Sequence, residues 1–301
     1  MAAGTARIVV LGAGTGGTLA ANRLRSLLGE TVTIDVVDQD DVHVYQPGLL
    51  FVPFGLATPE EIVRPRSRQL HAGIGSHLSP IDHVDLDGEA VHLSDGTVLP
   101  YDVLVVATGA RLVPDETEGL ALPDPTGRVH TFYDLEGAGR LSGALAHLER
   151  GRLVVNVVDM PIKCPVAPLE FCFLADWFLT EHGRRDAVDI TYVTPLDGAF
   201  TKPVASARLG GMLEERGIEV VTEFNTGEVD APGGRLVSYD GREVPFDLAV
   251  VVPLHGGQAY VERSEGLGDE LGFVPTDQRT LQSTVRPNVF VIGDASSVPA
   301  S

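Results

Sequence analysis

Apolar residues along this chain are concentrated in short runs set between turns rich in glycine and proline. Such runs occupy 7–11, 32–37, 103–106, 153–158, 189–193, 248–252 and 289–292. Runs this short and this apolar predict strands buried on both faces, as in a parallel sheet. Three stretches between them, 18–28, 169–180 and 206–216, carry helical patterning. Strand, helix and strand alternate twice, so the pattern predicts an α/β chain with two such units.

Other segments break the period. Val44-Tyr45-Gln46-Pro47-Gly48-Leu49-Leu50-Phe51-Val52-Pro53-Phe54-Gly55 is apolar but interrupted by proline and glycine. It is neither a regular helix nor a central strand. Residues 78–99 read as short alternating strands, with a hairpin over 86–93 and a turn at Ser94-Asp95-Gly96-Thr97. A stretch rich in proline and acid, 114–125, marks a domain crossing.

The first strand runs straight into Gly12-Ala13-Gly14-Thr15-Gly16-Gly17, and the next one ends at Asp38. Strand, glycine turn, helix, strand and acid make up a dinucleotide-binding unit. Gly12 permits the tight turn, Gly14 lets the backbone approach a pyrophosphate, and Gly17 lets the helix pack on the strand. Thr15 and Gly16 open the helix, whose N-terminus faces the phosphates with its positive end. Asp38 can accept from ribose hydroxyls. The run at 101–106 continues into Ala107-Thr108-Gly109, and that at 289–292 into Gly293-Asp294-Ala295. Together these motifs resemble the two-dinucleotide-domain flavoproteins of the disulfide-reductase-like type. The resemblance implies two Rossmann-like three-layer domains, with FAD as cofactor. Thr108, Gly109, Gly293 and Asp294 would then touch the FAD. The implied division is an FAD domain of 1–111 plus 282–301 and a second domain of 112–281.

At 301 residues the chain can hold two modest domains. A net charge of −20 argues against nucleic acid and against anionic lipid as electrostatic partners. Lys163 and Lys202 are the only lysines. No apolar run approaches the ~20 residues that span a bilayer. Met1 to Arg7 shows no charged start or cleavage region, so a cytoplasmic polypeptide is expected. The histidines show no paired spacing for a metal, and none is expected.

The second strand–helix–strand unit lacks the fingerprint of the first. Its turn is Asp159-Met160-Pro161-Ile162-Lys163-Cys164-Pro165, without glycine and with two prolines that donate no N–H. Its second strand ends in Thr194-Pro195, with neither a ribose-binding acid nor an arginine for a 2′-phosphate. A nicotinamide dinucleotide is therefore disfavoured there. A cysteine stands in place of the glycines. Cys164 sits near a helix N-terminus beside Lys163, and both features favour thiolate. Cys172 lies on an apolar helix face and reads as core. Eight helical residues separate the two thiols by about 12 Å, too far for a disulfide.

With the flavin context, the chain resembles the sulfide:quinone oxidoreductase family. The motifs are the glycine loop, His43-Val44-Tyr45-Gln46-Pro47, Ile162-Lys163-Cys164 with Ala167-Pro168, and Gly293-Asp294-Ala295-Ser296. The resemblance implies oxidation of sulfide through a redox cysteine beside FAD, a persulfide on one thiol, and a quinone as electron acceptor. Cys164 would be the redox thiol, with Lys163 its neighbour. Glu170 would be a proton acceptor, or simply a helix N-terminal carboxylate favoured by the dipole. Tyr45, Gln46 and Pro47 would pack along the flavin. His255 would be a proton relay near neutral pH, or a plain loop histidine.

Two departures qualify the resemblance. The family's partner cysteine lies beyond the Gly-Asp motif, whereas this sequence stops at Ser301. Family members continue into a quinone pocket and membrane-binding helices, so the end reads as a truncation. Peripheral contact with the inner face of the cell membrane is thus a family inference, and a homo-oligomer is compatible with it. The third cysteine of some members is also absent from 123–152. Three rival readings keep the flavin fold. They are a type II NADH:quinone oxidoreductase, a sulfide dehydrogenase flavoprotein feeding a cytochrome, and a non-catalytic FAD-stabilised redox sensor.

Overall fold

A computed structural model describes residues 5–298. The expectation of no leader rests partly on residues 1–4, which lie outside the described residues, as does Ser301. The chain divides into two compact units. The first comprises Met1–Val44, Val63–Arg111 and Gly256–Ser301, and the second Tyr45–Ile62 and Leu112–His255.

The first unit is built on a five-stranded parallel sheet. Its spatial order is Val289–Val291, Val103–Val106, Ala6–Leu11, Val32–Asp38 and Gly75–Leu78. Alternate residues of Ala6–Leu11 enter two different cores, which explains its apolar run. Ile8 and Val10 pack with Ala21, Ile34, Val36 and Val105 on the face covered by the helix Thr15–Leu28. Val9 and Leu11 pack on the other face with Val37, Leu104 and Val106. There an antiparallel sheet of Ile81–Asp85, Ala90–Leu93 and Val98–Pro100 supplies Val84, Val91 and Leu93. The unit is therefore three layers: helix, parallel sheet, antiparallel sheet.

The second unit repeats this plan. Its parallel sheet runs Val129–His130, Leu248–Val252, Gly151–Val157, Val188–Val193 and Ile218–Val221. The helix Ala167–Glu181 packs on Gly151–Val157 and Val188–Val193. Val154, Val193 and Val251 pack with Val229, Leu236 and Val244 of an antiparallel three-stranded sheet. The fold class read from the motifs, α/β with two Rossmann-like three-layer domains, is the one observed.

Two segments group differently from the expected boundaries at 111/112 and 281/282. Residues 45–62 belong to the second unit, where Phe54 sets its ring, tilted, 4.9 Å from Phe171 and 5.8 Å from Phe178. Residues 256–281 belong to the first, where Tyr260, Val261, Leu267 and Val274 enter the core. Ser264 Oγ there accepts the N–H of Val84 at 2.8 Å. Among the described residues no helix is long and apolar enough to cross a membrane.

Candidate functional site

In the first unit the three glycine motifs converge because parallel strands end on one edge. The Gly12 N–H donates to Val37 O at 2.8 Å, Ala107 N–H to Leu11 O at 2.7 Å, and Ile292 N–H to Val106 O at 2.9 Å. Each motif thus begins one residue past the ladder of its neighbour. Gly12 stands at φ +91°, and a Cβ there would lie 2.5 Å from Ala107 O. A Cβ on Gly17 would lie 1.8 Å from Gly12 O. Both glycines are demanded by backbone crossing close to backbone.

Gly14 has the opposite surroundings: a Cβ there meets nothing within 4 Å. It is the N-cap of Thr15–Leu28, a helix with no side-chain cap and no acid in its first turn. Orphan N–H groups and the positive end of the helix dipole therefore face an open cradle. Gly16 borders it, its Cβ position 3.4 Å from Ile292 Cδ1, next to the exposed Gly293-Asp294 turn. This geometry fits an anionic diphosphate, and so fits FAD. Thr108 and Gly109 are tied in by the adjoining segment. Thr108 Oγ1 lies 3.1 Å from Tyr260 Oη, and Thr108 O accepts from Gln258 Nε2 at 3.2 Å.

Asp38 ends its strand as expected, but its carboxylate is already engaged. Oδ2 accepts from Ala13 N–H at 2.7 Å and ion-pairs with Arg66 Nε at 3.1 Å. Oδ1 accepts from Gln39 N–H at 2.8 Å, which leaves acceptor capacity for a ribose hydroxyl. Arg66 also bonds Asp40 through its backbone oxygen at 2.7 Å and its carboxylate. Nothing in the sequence singled out Arg66; the basic run Arg64-Pro65-Arg66-Ser67-Arg68 was its only signal.

The second unit holds the cysteine turn. Cys164 presents an exposed thiol at φ +50°, two residues before the N-cap Val166 of Ala167–Glu181. A left-handed conformation at a residue with a Cβ must be held by its surroundings. Here the Cys164 carbonyl accepts from Ala167 N–H at 3.0 Å and from Tyr133 Oη at 3.3 Å. Tyr133 is buried, and its hydroxyl is pushed up by burial first and by the nearby Cys164 charge second. Lys163 Nζ donates to Tyr133 O at 3.3 Å and to Gln46 Oε1 at 3.1 Å. The residues Tyr45, Gln46 and Pro47 thus stand in this unit, with Gln46 joined to the cysteine turn. Glu170 is exposed in the first turn of the helix. Sequence reasoning missed Tyr133, which lies 31 residues away and carries no motif.

His255 is corrected by its environment. It is 4% exposed, Nδ1 lies 3.0 Å from Pro253 O, and the ring meets Tyr133 edge-on at 5.4 Å. Burial first, and the Lys163 charge second, lower its pKa to about 4. It stays neutral near pH 7, so it does not titrate there as a relay. Cys172 is fully buried, its thiol pushed up by burial, in agreement with the core reading.

Comparison with known proteins fits this geometry. The family model described as "Pyridine nucleotide-disulphide oxidoreductase" matches residues 6–155. The mitochondrial sulfide:quinone oxidoreductase of Dictyostelium discoideum is 27% identical over 98% of this chain and 66% of its own length. The alternative NAD(P)H-ubiquinone oxidoreductase C1 of Arabidopsis thaliana is 33% identical over 97% of this chain and 62% of its own. The crystal structure of the Aquifex aeolicus sulfide:quinone oxidoreductase superposes with a TM-score of 0.85 at 22% identity, covering 98% of this chain and 69% of that one. The chain thus spans 66% and 62% of the length of these two curated relatives.

Proposed function

We propose that this chain, a member of the pyridine nucleotide-disulphide oxidoreductase family, oxidises sulfide through Cys164 and passes the electrons by way of FAD to a quinone. The observation that carries the reading is Cys164 itself. An exposed thiol at φ +50° occupies the turn where a second dinucleotide would need glycine. The names of several relatives, which state sulfide and quinone, support the same substrates.

Gly12, Gly14, Thr15, Gly16, Gly17 and Asp38, with Thr108, Gly109, Gly293 and Asp294, would hold FAD, which when bound supplies a two-electron acceptor. The remaining roles belong to the cysteine turn. Tyr133 and the Ala167 N–H hold the Cys164 carbonyl, which fixes the peptide that carries the thiol. Lys163, its neighbour in sequence, is anchored by Gln46 and Tyr133, and a cation near the thiol would favour thiolate. Cys164 thiolate and hydrosulfide would form the S–S bond of a persulfide with loss of the hydrosulfide proton and two electrons. The proton would go to Glu170 or water, and the quinone would be the final two-electron oxidant. A quinone is a lipid-soluble acceptor, so the reading includes peripheral contact with the inner face of a membrane.

The 33% identity to an NAD(P)H-ubiquinone oxidoreductase favours a second reading, hydride transfer from a nicotinamide. The Asp159–Pro165 turn argues against it, since Pro161 and Pro165 remove donors and no glycine opens a cradle. Anaerobic bleaching of the bound flavin separates the two. Rapid bleaching by sulfide, reversal by a quinone and loss of both in Cys164→Ser are expected. Bleaching by NADH that ignores Cys164→Ser would overturn the sulfide reading.

A further inference from the structure

Three side chains converge on the two backbone polar groups of a single residue of the glycine turn, Ala13. The N–H of Ala13 donates to Asp38 Oδ2 at 2.7 Å. Its carbonyl accepts from Thr18 Oγ1 at 3.1 Å and from His43 Nδ1 at 3.2 Å. Thr18 and His43 are each 8% exposed, and Ala13 is 2% exposed. A carbonyl oxygen has two lone pairs and can only accept, so both are used and His43 carries its proton on Nδ1.

The consequence lies in the next atom of the chain. The Ala13 carbonyl and the Gly14 N–H belong to one peptide plane. That peptide is trans, since the cis bonds are Leu122-Pro123 and Met160-Pro161. In a trans peptide the C=O and N–H point in opposite directions. Drawing the Ala13 oxygen inward onto Thr18 and His43 therefore aims the Gly14 N–H outward. That is the donor beside the open cradle, where a Cβ on Gly14 would meet nothing. Glycine on both sides of Ala13 would otherwise leave this plane free to rotate, because glycine has the widest backbone freedom.

We infer that His43, together with Thr18, is a positioning residue that presets the Gly14 N–H for a diphosphate. It acts from the strand Val42–Val44, outside the glycine motif. The inference rests on the reading of FAD as the cofactor.

The test is FAD affinity of the apo-protein, read by quenching of flavin fluorescence, with urea stability of the same apo-proteins measured alongside. His43→Leu keeps approximate bulk and removes the donor. His43→Asn keeps an N–H near the position of Nδ1. His43→Leu should weaken FAD binding by about three- to tenfold, the worth of one hydrogen bond, while His43→Asn stays within about twofold of wild type. Thr18→Val and Thr18→Ser repeat the contrast from the other donor, so the test survives if one buried variant fails to fold. Equal affinity in the Leu and Asn variants, or no change in Leu and Val, overturns the inference while FAD binding by the wild type stands. A wild type that takes up no FAD overturns the cofactor reading and this inference with it.

Discussion

Two glycines three residues apart should fail in opposite ways when each becomes alanine. A Cβ at Gly17 falls 1.8 Å from Gly12 O and 3.2 Å from Ala107 Cβ, so the turn or the helix must move. Overpacking of this kind costs about 1–3 kcal/mol, and alanine in a helix returns up to about 1 kcal/mol over glycine, so Gly17→Ala should lose about 1–2 kcal/mol. Gly14 has φ −71° and ψ −169°, which alanine adopts, and its Cβ meets nothing within 4 Å. Alanine is a poorer N-cap by about 0.5–1 kcal/mol, but it restricts the unfolded chain by a similar ~0.4–1 kcal/mol, so Gly14→Ala should be nearly neutral in stability. Its methyl group nevertheless fills the space a diphosphate must enter. Losing one hydrogen bond to a charged group predicts FAD binding weaker by about ten- to a hundredfold. Urea unfolding of the apo-proteins and FAD titration read the two effects separately. If Gly14→Ala destabilises as much as Gly17→Ala, or binds FAD as wild type does, the assignment of these glycines is refuted.

Thiol labelling of the native protein with iodoacetamide should modify Cys164 readily and leave Cys172 untouched until urea is added, as peptide mapping would show. Cys172→Ser puts a hydroxyl into a fully buried apolar site and should cost about 1–3 kcal/mol in urea unfolding. His255 makes stability depend on acid. Its folded pKa is lowered from 6.5 to about 4, so below 6.5 the unfolded chain binds more protons. Stability should fall as pH drops from 6.5 towards 4, and His255→Phe should flatten that part of the profile; an unchanged slope would refute the assignment. Asp124 is opposed by burial but accepts from Thr126, Arg128 and Val129, so its carboxyl lies below the usual 3.8. It contributes stability above that value, and the gap between wild type and Asp124→Asn should close as the pH falls below it.

What could be read in advance was whatever depends on local pattern. Ala6–Leu11 and Val32–Asp38 announce themselves because both faces of a parallel strand are buried, and the glycine turn because its φ values and close approaches exclude other residues. The grouping of residues 45–62 was not legible. Its apolar residues have no period, and their packing is decided by Phe171 and Phe178, more than a hundred positions later. The same holds for Tyr133, whose hydroxyl reaches Cys164, and for Arg66 on Asp38. Of the two readings of His255, the relay near neutral pH is the one disfavoured, because its charge state follows from burial, which a loop sequence does not display.

The two units set the same construction, strand then turn then helix, to different uses, and the turn residues explain why one cannot serve both. A diphosphate needs N–H donors and no Cβ in its way, which Gly12 to Gly17 supply. The second turn gives up donors at Pro161 and Pro165 and keeps a side chain at φ +50°. Holding an L-residue in that region costs about 1–2 kcal/mol, and glycine at the same position would avoid it. Tyr133 and Ala167 instead spend two hydrogen bonds on the Cys164 carbonyl to hold the strained residue in place. A turn that needed only its shape would be better served by glycine. The property that glycine would remove is the thiol, and the proposed role of Cys164 accounts for the strain that the turn carries.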